Sequence, residues 1–125
     1  MIELKYFKAH EFDSPDQKNS HVNMDNEFLR MLDTAREHST VPFKITSGYR
    51  TESHNNAIYA KLGKKPVASS HLKGKAVDLA CSDSRSRHII LTSLIKAGFT
   101  RFGISHNFIH VDSDQEKSQN VIWTY

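Results

Sequence analysis

Two short apolar runs in this chain each carry an ionisable residue at their centre: Ala76-Val77-Asp78-Leu79-Ala80-Cys81 and Phe108-Ile109-His110-Val111-Asp112. Runs of this length and composition read as strands, and successive side chains of a strand point to opposite faces. Ala76, Asp78 and Ala80 therefore share one face, and Val77, Leu79 and Cys81 the other. In the second run His106, Phe108, His110 and Asp112 share a side. A carboxylate among apolar neighbours is costly to bury unless it is paired or binds a metal. Any fold for this sequence must give Asp78 a partner. Gly74, just ahead of the first run, predicts a turn with His71 at its lip. His71 stands seven positions before Asp78, which is not the spacing that puts two ligands on one helical face.

The remainder of the chain is consistent with a modest globular fold. Its 125 residues suit one domain with one core, spanning 1–125, and leave no room for a second module of useful size. Residues 1–22 are polar and turn-rich. Asn23 or Asp25 is placed to cap a helix running to about His38, with Met24, Phe28, Met31, Leu32 and Ala35 at helical spacing. Val41 to Thr46 reads as a strand, Ser53 as the cap of a short helix ending at Gly63, and Gly63 to Ser70 as a loop. Ser84 opens a second long helix that Gly98 stops. Arg101 to Ile104 and Asn107 to Val111 read as paired strands around a Ser105-His106 turn, and Val121 to Tyr125 as a last strand. Mixed helices and strands with short links between neighbouring strands predict an α+β fold, with a small, mainly antiparallel sheet and flanking helices.

Charge and cysteine content narrow the function classes. The formal charge is +3, which favours polyanionic surroundings such as nucleic acid, anionic lipid or wall polymer. Lys61, Lys64, Lys65, Lys73 and Lys75 cluster around the first motif, but no aromatic interleaves with them as a stacking platform for nucleic acid requires. They read as a solvated basic loop, and no nucleic-acid partner is expected. No apolar run approaches the ~20 residues of a membrane span, so no membrane insertion is expected. The segment Met1-Ile2-Glu3-Leu4-Lys5 lacks the apolar stretch of a secretory signal, which predicts synthesis in the cytoplasm or a leader trimmed before this numbering. Cys81 is the only cysteine, so an internal disulfide is impossible and a buried thiol is expected. With no coiled-coil pattern, a monomer is expected.

His71, Asp78 and His110 offer two imidazoles and one carboxylate. Such a set can hold Zn²⁺ and leave its fourth position to water, which then loses a proton near neutral pH. The blander alternative is that these are surface residues or internally satisfied core residues, for the chain has eight histidines. His10, His21, His38 and His88 fall in polar or helical-surface contexts and receive no role. Tyr49, Trp123 and Tyr125 read either as groove-lining aromatics or as core packing.

The stretch from Ser69 to Asp78 has the form S-x-H-x-x-G-x-A-x-D. With Ser47-Gly48-Tyr49-Arg50 upstream and Phe108-Ile109-His110-Val111-Asp112 downstream, in that order, it resembles the zinc D-Ala-D-Ala carboxypeptidase family. That family is grouped with lysostaphin-type peptidases and the hedgehog signalling domain, and it includes phage endolysins. The resemblance covers the chain from about Phe7 to Tyr125. It implies a hedgehog/D-Ala-D-Ala-peptidase-like fold and one zinc ion per chain held by His71, Asp78 and His110. It also implies hydrolysis of an amide bond in peptidoglycan stem peptides or crosslinks, by a D,D-carboxypeptidase or an endopeptidase. Arg50 matches the family arginine that binds substrate carboxylate or stabilises the developing oxyanion. Ser69 matches a small polar residue near the metal, in a substrate-binding role or as a shaper of the turn.

One departure stands out. Relatives often carry a catalytic base two or three residues before the last ligand, and here those positions are Phe108 and Asn107, which cannot take a proton from water. Asp112 is the first substitute, His106 the second and His54 the third. Asp112 is equally placed to orient a ligand imidazole. The missing base also admits an inactive zinc-containing module that binds peptidoglycan or protein. A compact chain without an export signal suits a phage or prophage lysis enzyme that acts on the bacterial wall.

Overall fold

A computed structural model describes residues 1–125. Three helices, α1 (Asn26–His38), α2 (Glu52–Lys61) and α3 (Ser84–Lys96), accompany five strands. These are β1 (Ile45–Ser47), β2 (Ala76–Ala80), β3 (Arg101–Ile104), β4 (Phe108–Asp112) and β5 (Val121–Thr124). The strands form one sheet in the order β1-β2-β4-β3-β5. Every neighbouring pair is antiparallel except β3 with β5, which run parallel. This is the α+β architecture expected from the sequence.

Local chemistry sets the element boundaries. Asp25 caps α1, its carboxylate accepting from the Phe28 N–H at 2.9 Å. Phe28, Leu29, Leu32 and Ala35 give the helix a fully buried stripe. The cap of α2 is Thr51 rather than Ser53: the Thr51 hydroxyl accepts from the His54 N–H at 3.1 Å. Asp83 caps α3, and Gly98 ends it with a φ of 107°. The strand expected from Val41 begins only at Ile45. Pro42 lacks the N–H that a ladder needs, and the register shifts within β1.

The core lies on one face of the sheet. Val77 and Leu79 of β2, Ile109 and Val111 of β4, and Phe102 of β3 pack with Phe28, Leu29 and Leu32 of α1 and Ile90 and Leu94 of α3. Each such side chain, fully buried, stabilises the fold by about 1.5–3 kcal/mol. Cys81 joins this cluster as a buried free thiol. The N-terminal segment, expected to be merely turn-rich, contributes Phe7 and Phe12 to the same core, with their rings edge-on at 5.7 Å. No helix is long and apolar enough to cross a membrane.

Candidate metal centre

On the opposite face, one row of residues crosses all five strands. Ser47 stands opposite Asp78, Asp78 opposite His110, His110 opposite Gly103, and Gly103 opposite Trp123. Directly opposed residues present their side chains to the same face. The pairing therefore delivers Asp78 to His110 across β2 and β4, although they lie far apart in sequence.

His71 reaches the row from outside the sheet. It sits on a 3-10 helix, Ser70–Lys73, whose first turn Ser69 caps by accepting from the His71 N–H at 3.2 Å. Gly74 ends that helix at φ 68°, and a Cβ there would lie 2.1 Å from the Asn23 carbonyl oxygen, so no larger residue fits. Buried Asp114 ties the helix down, accepting from Ser70 Oγ at 2.7 Å and from Lys73 Nζ at 3.0 Å.

The donor atoms converge. His71, Asp78 and His110 can each offer one ligand atom such that all three lie within 4.8 Å of one another. His71 Nδ1 lies 2.7 Å from the Gly48 carbonyl, which can only accept, so the proton is on Nδ1. The bare lone pair of Nε2 then faces Asp78 Oδ1 at 3.3 Å. His110 Nε2 donates to Asp112 Oδ2 at 2.7 Å, and its Nδ1 meets the same Asp78 Oδ1 at 3.0 Å. Two ligands each about 2.1 Å from one ion at a tetrahedral angle are about 3.4 Å apart. The measured separations are close to that. An imidazole lone pair aimed at an anionic oxygen is repulsive unless a cation lies between them, so these residues fit a divalent ion.

The electrostatics agree. Burial pulls the His71 pKa down, more than the Asp78 carboxylate raises it, and the ring is held neutral. Burial alone would raise Asp78, but its hydrogen bonds with His110 and His71 hold the carboxyl well below the usual range. Burial likewise pulls His110 down, and Asp112 and Asp78 outweigh it, so the imidazole pKa rises.

A cleft of about 450 Å³ opens over the row. Ile58, Tyr59, Leu62 and Val67 line one part of it, Trp123 and Tyr125 another, and Lys64 and Lys117 add positive charge. Arg50 lines the cleft too, but its guanidinium is engaged: Nη2 donates to Asp78 Oδ2 at 3.2 Å and Nε to Ser47 Oγ at 3.0 Å. It thus grips the carboxylate oxygen that the histidines leave free. Ser69 lines the cleft besides capping the His71 turn.

The three groups considered for proton transfer are placed very differently. Asp112 is beside the centre but occupied: Oδ1 accepts from Arg101 Nε at 2.7 Å and from the Asp114 N–H at 3.0 Å, and Oδ2 from His110. Its burial is outweighed by those bonds, and its carboxyl stays below the ordinary range. His106 is exposed in the turn between β3 and β4, its carbonyl accepting from Arg87. His54, on α2, is not among the cleft-lining residues. Trp123 and Tyr125 line the cleft, whereas Tyr49 packs against the core. The sequence reading missed Arg101, Gly103 and Asn55, whose Oδ1 accepts from Arg50 Nη1 at 3.4 Å. Strand alternation places Arg101 and Gly103 on the face of His110 once β3 is paired with β4, and that signal was available.

The fold and the donor set together define an α+β domain with a two-histidine, one-carboxylate cluster at the floor of a cleft. The peptidase M15 family model matches residues 5–112, and the chain belongs to that family. The crystal structure of the Serratia marcescens L-Ala D-Glu endopeptidase ChiX has the same fold, with a TM-score of 0.54 at 20% identity over 61% of this chain and 62% of that one. The present chain therefore spans less than two thirds of that relative's length. No curated protein matches this chain.

Proposed function

We propose that this chain is a zinc-dependent peptidoglycan peptidase that hydrolyses an amide bond in the stem peptide or crosslink, either as a D,D-carboxypeptidase or as an endopeptidase. The observation that carries the reading is the convergence of His71 Nε2, His110 Nδ1 and Asp78 Oδ1 beneath an open cleft. Membership of the peptidase M15 family supports it. His71, Asp78 and His110 would hold one ion per chain, and the whole of 1–125 would act as a single, monomeric catalytic unit on the bacterial wall.

A zinc ion, when bound, lowers the pKa of water in its open position and polarises a carbonyl. The chain's own residues do the rest. The Gly48 carbonyl and Asp112 fix the tautomers of His71 and His110, so that each presents a lone pair to the centre. Arg50 fixes the rotation of the Asp78 carboxylate, and the N–H bonds it does not give to Asp78, Ser47 and Asn55 would be available to substrate anion or developing oxyanion. Ser69 holds the His71 turn and offers a hydroxyl to the cleft. Asp112 accepts from His110 Nε2 and so keeps that ring turned with Nδ1 toward the centre.

A second reading is favoured by one observation: every oxygen of Asp112 is already bonded, and the cleft holds no other free carboxylate. In it the chain holds zinc and binds peptidoglycan without cutting. Digestion of purified sacculi with wild type, His71→Ala and Asp112→Ala, followed by mass spectrometry of the fragments, separates the two. Peptide fragments from wild type and none from His71→Ala support the peptidase. Intact sacculi with zinc bound to wild type leave the binding module.

A further inference from the structure

Beyond the family-matched segment, which ends at Asp112, the chain continues into β5, and there Trp123 leans back over the centre. β5 lies at the sheet edge, and β3 separates it from His110. A side chain on β5 reaches β4 only if β3 presents nothing between them. Gly103 meets that condition: a Cβ there would lie 2.5 Å from Trp123 Nε1 and 2.8 Å from the Tyr125 hydroxyl. Through this gap the indole comes within 5.5 Å, ring to ring, of His110.

The same indole covers Arg101. The guanidinium carbon is 5.0 Å from the Trp123 ring centre, while Arg101 Nε donates to Asp112 Oδ1 and Nη1 to the Ser118 carbonyl at 2.5 Å. Arg101 is itself buried. A planar cation over an aromatic face is attracted to it, more strongly as water is excluded. Asp112 in turn holds His110 Nε2. The contacts run without a break from Trp123 to Arg101 to Asp112 to His110, and Trp123 also touches the last of these directly.

We propose that Trp123, seated across Gly103, is a positioning residue for the metal centre: it presses Arg101 onto Asp112 and so fixes the ring of His110, while forming a wall of the cleft. This rests on the reading that His71, Asp78 and His110 hold an ion. Loss of partners that orient a ligand histidine typically costs about 10–100-fold in metal affinity, which sets the size of the effect.

The test uses the full chain, loaded with one equivalent of Zn²⁺ or Co²⁺. Trp123 is the only tryptophan, so its emission reports this position alone. Co²⁺ binding to wild type is expected to quench that emission, with saturation at one equivalent. Trp123→Leu removes the aromatic face but keeps an apolar side chain at a half-buried edge position. It is expected to release Zn²⁺ to a chelator about tenfold faster and to shift the visible Co²⁺ absorption bands. Trp123→Phe restores the wild-type rate to within about twofold, and Gly103→Ala, which keeps the indole but fills its seat, behaves like Trp123→Leu. A merely structural edge residue would leave the Co²⁺ bands of folded variants unmoved. Wild-type release rates and bands in both Trp123→Leu and Gly103→Ala would overturn the inference and leave the metal reading standing. Co²⁺ bound without quenching would overturn it as well. Failure of wild type to take up one equivalent of either ion would overturn both, and is recognised because it occurs before any substitution is made.

Discussion

On β2, Val77 and Leu79 are fully buried against α1 and α3, while Asp78 between them belongs to a polar row on the other face. The same alternation holds on β4, where Ile109 and Val111 face the core and His110 and Asp112 the centre. Both faces bury their side chains, yet for different ends. The core face gains from apolar area and tolerates any side chain of suitable size. The other face gains only when each buried polar atom meets a partner, because an unpaired one costs about 1–3 kcal/mol. Its contents are accordingly specific: two carboxylates, two imidazoles, two guanidinium groups and a glycine that makes room. The sheet separates stability from chemistry by one position along a strand.

Adjacent substitutions on β2 would break this comparison if it is wrong. Asp78→Asn keeps the shape but removes the anion. It should abolish stoichiometric zinc uptake and lower hydrolysis of sacculi by at least about 10³-fold, while the chain still folds cooperatively around an intact core. Leu79→Ala should do the reverse. Denaturant unfolding should show a loss of about 2–5 kcal/mol, while the folded fraction still binds one ion. If the two variants fail in the same way, the faces are not independent.

Finer substitutions sharpen the contrast. Asp112→Asn leaves all three donors in place but weakens the hold on His110, and competition with a chelator should show zinc affinity down by about 10–100-fold. Asp114, which anchors the turn carrying His71, should matter least. Burial would raise its carboxyl, but Ser70 and Lys73 outweigh it and hold the pKa below the ordinary value. A carboxyl depressed on folding adds stability above its unfolded pKa and loses it as the pH falls through the folded one. Asp114→Asn should therefore cost about 1–2 kcal/mol at neutral pH. Its unfolding free energy should fall less steeply than that of wild type below about pH 4.

Much of the fold was readable because the core face is periodic. The stripe of α1, the stop at Gly98 and the runs around Asp78 and His110 follow local rules, and so does the glycine turn after His71. What stayed hidden depends on contacts distant in sequence. The parallel pairing of β5 with β3 leaves no local trace, and without it Trp123 has no route to His110 and Gly103 has no evident purpose. Arg50 reads from its motif as a substrate-binding group, but only the folded arrangement shows that it first has Asp78 to hold. The choice between Asp112 as proton acceptor and as anchor turns on Arg101, which lies eleven positions away on a neighbouring strand. Phe7 and Phe12 enter the core from a segment whose composition resembles a surface loop.

The row from Ser47 to Trp123 takes one residue from every strand, so no part of the sheet can assemble the pocket floor by itself. Pairings between distant stretches of chain form late, since loop-closure entropy must be met first. A nascent or partly unfolded molecule therefore has its helices and hairpin before it has any cluster able to capture a cation. The cluster at the centre of that row forms only after stretches far apart in the chain have paired.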